Sequence, residues 1–276
     1  MAGFDVEQVP AEGMRAGRAA AFFDLDKTII ASSSALAFSK PLRREGLINR
    51  RAALKSAYAQ LMFSLSGADA NKTERLRAQI SALCAGWDVA QVRAIVSETL
   101  HDVVDPLIYA DAVALIDEHK AQGRDVVVLS ATGEEVVEPV AELLGATRSF
   151  ATRMEVVDGC YSGKVDFYCY GENKALAAAR MARTYGYDLS QSYAYTDSST
   201  DLPLLEAVGH PHAVNPDRAL RKLATDRDWP VLTFTGTVSL RSKLAPAATA
   251  VAVGMGAVAA GATWYGLAAR KRKSQE

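Results

Sequence analysis

Apolar residues along the chain fall into short runs that stop abruptly on polar ones. AAAFFDLD, from Ala19, ends on two acids; Asp125–Leu129 (DVVVL) ends on Ser130; Ser192–Thr196 (SYAYT) ends on Asp197. Short, continuous and β-prone, such runs suit strands covered on both faces of a parallel sheet. HAV around Ala213 and PVLTF from Pro230 are two further β-prone pieces. Between the runs lie stretches with helical spacing, such as EEVVEPVAELLG, closed by Gly145, and DLPLLEAVG. Strands alternating with helices predict an α/β fold, a Rossmann-like parallel sheet flanked by helices, with any ligand site beyond the carboxyl ends of the strands.

The alternation breaks between the first two strands. Residues 32–105 are helix-prone throughout; RRAALKSAYAQLMFSLSG and NKTERLRAQISALCAG carry apolar residues three and four apart and end on Gly67 and Gly86. This predicts a helical cap inserted into a core made of residues 19–31 and 106–236, either an enlarged crossover or a lid over the site. RMEVVDGCYSGKV, with a DG turn between β-prone arms, predicts a hairpin. Residues 1–18 mix charge, Gly and Pro without the apolar run of a signal peptide and are expected to be a loose, untranslocated leader.

Residues 244–269 contain no Asp, Glu, Lys, Arg or His, and Arg270, Lys271, Arg272 and Lys273 follow in a basic tail, 270–276. As a helix this stretch would be about 39 Å long, against about 30 Å of bilayer hydrocarbon. It is read as a membrane-spanning or membrane-associated helix that holds a cytoplasmic catalytic domain at the inner face of the plasma membrane. A soluble Ala-rich helix packed on a partner is the alternative.

Over all 276 residues, 31 Lys and Arg balance 32 Asp and Glu. That balance excludes a nucleic-acid binder working through a basic face. Three cysteines, Cys84, Cys160 and Cys169, contain no CxxC pair and suggest neither a disulfide framework nor a thiolate zinc site. The four histidines have no spacing that recommends a transition-metal site, and surface or core roles suit them better.

The chemistry sits at the strand ends. Asp24 and Asp26, two apart with Thr28 beyond, would repel unless a cation or a shared proton separates them. Mg2+ is the natural cation, since it takes hard oxygen ligands and keeps several waters. YTDSSTDLPLL adds Asp197 and Asp201 at another strand end, while Ser130 and Lys174 supply a hydroxyl and an ammonium. Taken one by one, each has a plainer reading as a turn or helix cap or an exposed lysine.

In their order, FFDLDKT, the strand VVVLS, the GENK holding Lys174 and YTDSSTDLPLL resemble the four motifs of the haloacid dehalogenase superfamily of phosphatases. The insertion directly after the first motif resembles its subfamily IB, the phosphoserine-phosphatase-like branch. The resemblance implies that Asp24 is the nucleophile, forming an aspartyl phosphate, and Asp26 the general acid and base. It implies Mg2+ held by Asp24, Asp197 and the backbone carbonyl of Asp26, a phosphate-binding set of Ser130, Lys174 and Thr28 in which Thr28 fixes the loop of the first motif, and support from Asp201.

The pattern departs from phosphoserine phosphatases in places. Those enzymes carry a Glu nine residues after the nucleophile to recognise the substrate amine, and here that position is Ser33. Lys27 stands where they commonly have Ser, and TDSST replaces a Gly-rich motif. The expected substrate is therefore a small phosphorylated metabolite, with two alternatives open: a lipid phosphate such as phosphatidylglycerophosphate or lysophosphatidate, reached through membrane lipid contact of the apolar tail, or a phospho-ligand bound without turnover.

Overall fold

The computed structural model describes residues 17–48 and 81–238. Its sheet has seven strands: β1 (Ala20–Asp24), β2 (Asp125–Gly133), β3 (Arg148–Val157), β4 (Cys160–Phe167), β5 (Tyr193–Thr196), β6 (His210–Val214) and β7 (Val231–Leu232). They lie in the order β4-β3-β2-β1-β5-β6-β7, all parallel to their neighbours except β4, which runs antiparallel to β3. β1 is central, and every residue of AAFFD is buried. A strand covered on both faces must be apolar throughout, which is why this run carries no alternation.

The described helices are α1 (Ser34–Arg44), α2 (Val89–Val104), α3 (Ala110–Ala121), α4 (Glu134–Leu143), α5 (Glu172–Tyr185), α6 (Leu202–Ala207) and α7 (Arg218–Asp226). α5, α6 and α7 close one face, where Ala177, Ala178, Met181, Leu204, Leu205, Leu220 and Ala224 meet Phe22, Leu129 and Ala194 in one buried cluster. On the opposite face His119 of α3 makes edge contacts with Phe23 and Tyr195. These are the layers of a Rossmann-like α/β fold.

The expected strands are all present, with two extensions. β2 continues past Leu129 to Gly133, pairing with β3 through a register shift between Ser130 and Gly133. β3 starts at Arg148, pairs parallel with β2, then turns into the antiparallel hairpin with β4. Its mixed first residues, RSFA, gave no strand pattern of their own. The hairpin turns on Asp158 and Gly159, both at positive φ, as an Asp-Gly turn requires.

Within the insertion 32–105 the described residues are helical in α1, at 81–84 and in α2, and α3 then leads back to β2. Asp88 caps α2 by accepting from the Gln91 N–H at 2.9 Å. Most of the two helix-prone segments ending on Gly67 and Gly86, most of the leader, the 244–269 stretch and the basic tail lie outside the described residues. Among the described residues, no helix is long and apolar enough to cross a membrane.

Because β1, β2 and β5 are parallel and in register, with Asp24 beside Leu129 and Phe23 beside Tyr195, their carboxyl ends converge. Asp24, Ser130 and Asp197 are thereby delivered to one edge of the sheet.

Candidate active site

Asp24 is the last residue of β1, and the chain then makes a tight turn in which the Leu25 carbonyl lies within reach of the N–H groups of Thr28, Ile29 and Ile30. Lys27 takes φ 60° to permit it. Leu25 points into the core, fully buried, while Asp24 and Asp26 flank it.

Lys174, near the start of α5, is only 3% exposed. Its Nζ lies 2.5 Å from Asp24 Oδ1 and 2.6 Å from Asp201 Oδ2. Thr196 donates to the same Asp201 oxygen at 2.7 Å, and Thr28 donates to Asp24 Oδ2 at a long 3.5 Å. Asp201 precedes α6 yet makes no side-chain capping bond, and its Oδ1 is buried with no hydrogen-bond partner. The plain readings of Lys174 as an exposed lysine and Asp201 as a helix cap do not describe these side chains.

Asp26 faces elsewhere. Its Oδ1 accepts the Ser34 N–H at 2.9 Å and its Oδ2 the Thr132 hydroxyl at 3.3 Å. Ser130 is buried in β2 where the register shifts, and its hydroxyl accepts the Thr132 N–H at 3.2 Å; it caps no helix, since Gly133 occupies the position before α4. Asp197 is positioned through its backbone: its carbonyl accepts the Asp217 N–H at 2.8 Å, and the Asp217 carboxylate takes Ser199 N–H and hydroxyl at 2.9 and 3.0 Å.

Four contributors had escaped the sequence reading: Ser34, Thr132, Thr196 and Asp217. Asp217 alone left a local signal, as the N-cap of a helix in NPDRAL, and it does accept the Leu220 N–H at 2.7 Å. The other three are ordinary hydroxyl residues whose partners are brought to them by the fold.

The charges here are unbalanced, with Asp24, Asp197 and Asp201 around the buried Lys174 ammonium and Lys27 acting on Asp197. Burial, reinforced by the charges of Asp201 and Asp197, pushes the Asp24 carboxyl up to about 8 against the pull of Lys174. Burial likewise lifts Asp197 to about 6, with Lys27 opposing and Asp201 adding to the rise. Asp26 is raised by burial and pulled back by its hydrogen bonds from Ser34 and Thr132. Burial lowers Lys174, but the attraction of Asp201 and Asp24 outweighs it and holds the ammonium charged.

Among the described residues no three His, Cys, Asp or Glu side chains form a ready cage for a metal ion. The donor set fits Mg2+ nonetheless, because that ion uses one or two carboxylates and completes its shell with water and substrate oxygens. The crowding of carboxyls that lifts both Asp24 and Asp197 is what a divalent cation would relieve.

The profile of the haloacid dehalogenase-like hydrolases matches residues 21–206. The chain belongs to that family. A probable phosphatase of Mycobacterium tuberculosis is 59% identical over 268 residues, covering 95% of this chain and 93% of its own. A protein of unknown function from Bordetella pertussis has a similar structure, with TM-score 0.69, 29% identity, and coverage of 78% of this chain and 98% of its own. A substrate-bound phosphoserine phosphatase shares the fold at TM-score 0.57 and 19% identity, covering 83% of this chain and 98% of its own. This haloacid dehalogenase-like hydrolase is an enzyme of the phosphatase type.

Proposed function

We propose that the enzyme hydrolyses a small phosphomonoester through an aspartyl phosphate on Asp24. The observation that carries this reading is the Asp24–Lys174–Asp201 constellation, a buried carboxylate at a strand end with an ammonium 2.5 Å from one oxygen. A carboxylate oxygen of Asp24 attacks phosphorus, the bond from phosphorus to the leaving oxygen breaks, and Asp26 supplies the proton that the alcohol carries away. Water then attacks the same phosphorus, Asp26 takes back a proton, and Asp24 is freed with release of inorganic phosphate.

The Ser130 hydroxyl and Lys174 bind the phosphoryl oxygens, and Thr28 steadies the turn after Asp24. Asp24, Asp197 and the backbone carbonyl of Asp26 are the groups that would hold Mg2+, which when bound neutralises charge on the transferred phosphoryl group. Asp201 orients Lys174. A cap over the substrate is the role this reading gives to the insertion 32–105, of which 49–80 lie outside the described residues.

Ser33, immediately before α1, offers no carboxylate to a substrate ammonium, which argues against free phosphoserine and for a phosphomonoester without a cationic amine. The charge-free stretch 244–269 supports a second reading in which the leaving alcohol belongs to a lipid. A panel run with the full chain and Mg2+ separates them: an aryl phosphate, phosphoserine, histidinol phosphate, and lipid phosphates in vesicles. The reading expects turnover of the aryl phosphate that drops to background in Asp24→Asn. Equal release by wild type and variant would leave a phospho-ligand binder without turnover.

A further inference from the structure

Asp26 is held by a side chain to which no motif assigns a role. The Thr132 hydroxyl lies 3.3 Å from Asp26 Oδ2 and 2.9 Å from the Ser34 hydroxyl, and the Ser34 N–H lies 2.9 Å from Asp26 Oδ1. We propose that Thr132 is a positioning residue for Asp26: with Ser34 it forms a clamp that aims the carboxyl at the leaving oxygen. This rests on the acid and base role proposed above for Asp26.

A simple structural duty does not account for either hydroxyl. Thr132 lies two residues before α4, but the position that caps that helix is Gly133, which makes no side-chain capping bond. At α1 the preceding Ser33 also makes no side-chain capping bond, and the Ser34 N–H is donated to Asp26. A first-turn N–H has no partner within its own helix, so the Asp26 carboxylate acts as the external cap of α1. The two donors come from different parts of the chain, one from the first helix after β1 and one from the end of β2, 98 residues apart. They converge on a single carboxyl.

The donor chemistry matches what an acid that alternates with a base needs. The Ser34 N–H can only donate, so Oδ1 is kept as an acceptor and Oδ2 is left as the oxygen that handles the proton. Thr132 donates to one lone pair of Oδ2, which leaves the other to exchange the proton with the leaving oxygen. The backbone N–H of Thr132 meanwhile donates to the Ser130 hydroxyl at 3.2 Å, so one residue borders both the phosphate-binding hydroxyl and the acid.

Leaving groups of different basicity supply the test. A nitrophenolate departs with little need of a proton, whereas an alkoxide needs one, and kcat/KM reports the steps through departure of the alcohol. In the full chain with Mg2+, Thr132→Val is expected to lose about 10- to 100-fold in kcat/KM on an alkyl phosphate, the scale of a misaimed catalytic group, and less than about threefold on p-nitrophenyl phosphate. Thr132→Ser keeps the hydroxyl and should restore most of the alkyl activity, and Asp26→Asn should show the same selectivity more strongly. Equal losses on both substrates would overturn the proposal and confine Thr132 to shaping the Ser130 loop. If Thr132→Val does not fold, Ser34→Ala removes the second hydroxyl and must show the same selectivity in weaker form. A wild type inactive on both substrates would instead sink the phosphatase reading itself.

Discussion

Lys174 reaches Asp24 across 150 positions of sequence, and its ammonium also touches Asp201, so one buried cation holds two carboxylates at the end of the sheet. Removing one partner of such a set leaves uncompensated charge in a dry site, at a loss of about 3–5 kcal/mol. Lys174→Met should therefore lower the urea unfolding free energy by about that amount and abolish turnover. A variant as stable as wild type would show that the ammonium is not the counter-charge described here.

The Asp197 loop depends on Asp217, which accepts from Ser199 twice and caps α7. Asp217→Ala should cost about 1 kcal/mol through the lost cap. It should also weaken Mg2+ binding about 10- to 100-fold, the usual effect of losing a group that orients a metal ligand. Calorimetric titration of the apo protein reads the second effect without reference to activity. Unchanged Mg2+ affinity would show that Asp217 serves only α7.

Surplus negative charge around Asp24 predicts that Mg2+ stabilises the folded chain. At a hundredfold excess over the dissociation constant the gain is about 2.7 kcal/mol. It should vanish in Asp197→Asn, read as the shift in thermal midpoint with added Mg2+. An equal shift in the variant would place the ion elsewhere.

His119, 2% exposed, lies between α3 and the sheet. The Arg124 guanidinium 3.1 Å from its Nδ1 can only donate, so the ring is neutral there, with its proton on the Nε2 that faces the Tyr195 hydroxyl at 2.8 Å. Burial, aided by the charges of Arg124 and His212, pushes the imidazole from 6.5 down to about 4. Above pH 6.5 both folded and unfolded chains are neutral at this position. As the pH falls from 6.5 towards about 4, only the unfolded chain takes up the proton, and stability is lost. His119→Phe keeps a ring against Phe23 and removes this titration, so between about pH 7 and about pH 5 it should lose less unfolding free energy than wild type. Parallel slopes would contradict the assignment.

Much of the fold was legible because parallel strands buried on both faces leave continuous apolar runs, as in AAFFD and DVVVL, each ending on its polar residue. The start of β3 was not legible, because RSFA owes its strand to pairing with β2 rather than to its own pattern. The same division holds at the site. Asp24, Lys174 and Asp201 stood out because their order along the chain resembles the motifs of the haloacid dehalogenase superfamily, although each alone had a plainer reading. Ser34 and Thr132 carried no such mark; their meaning comes from a meeting across 98 residues that no local window contains. Arg148, which bonds to Asp125 and Tyr187 and stacks on Tyr185, was silent for the same reason.

If Asp24 itself takes the phosphoryl group, the group can be caught there. Full-length enzyme quenched in acid during turnover of p-nitrophenyl phosphate with Mg2+, then reduced with borohydride and mapped by peptide mass spectrometry, should carry homoserine in place of Asp24. Asp24→Asn should carry none. Phosphate released at the wild-type rate with position 24 unmodified, or the label found on another residue, would contradict the account.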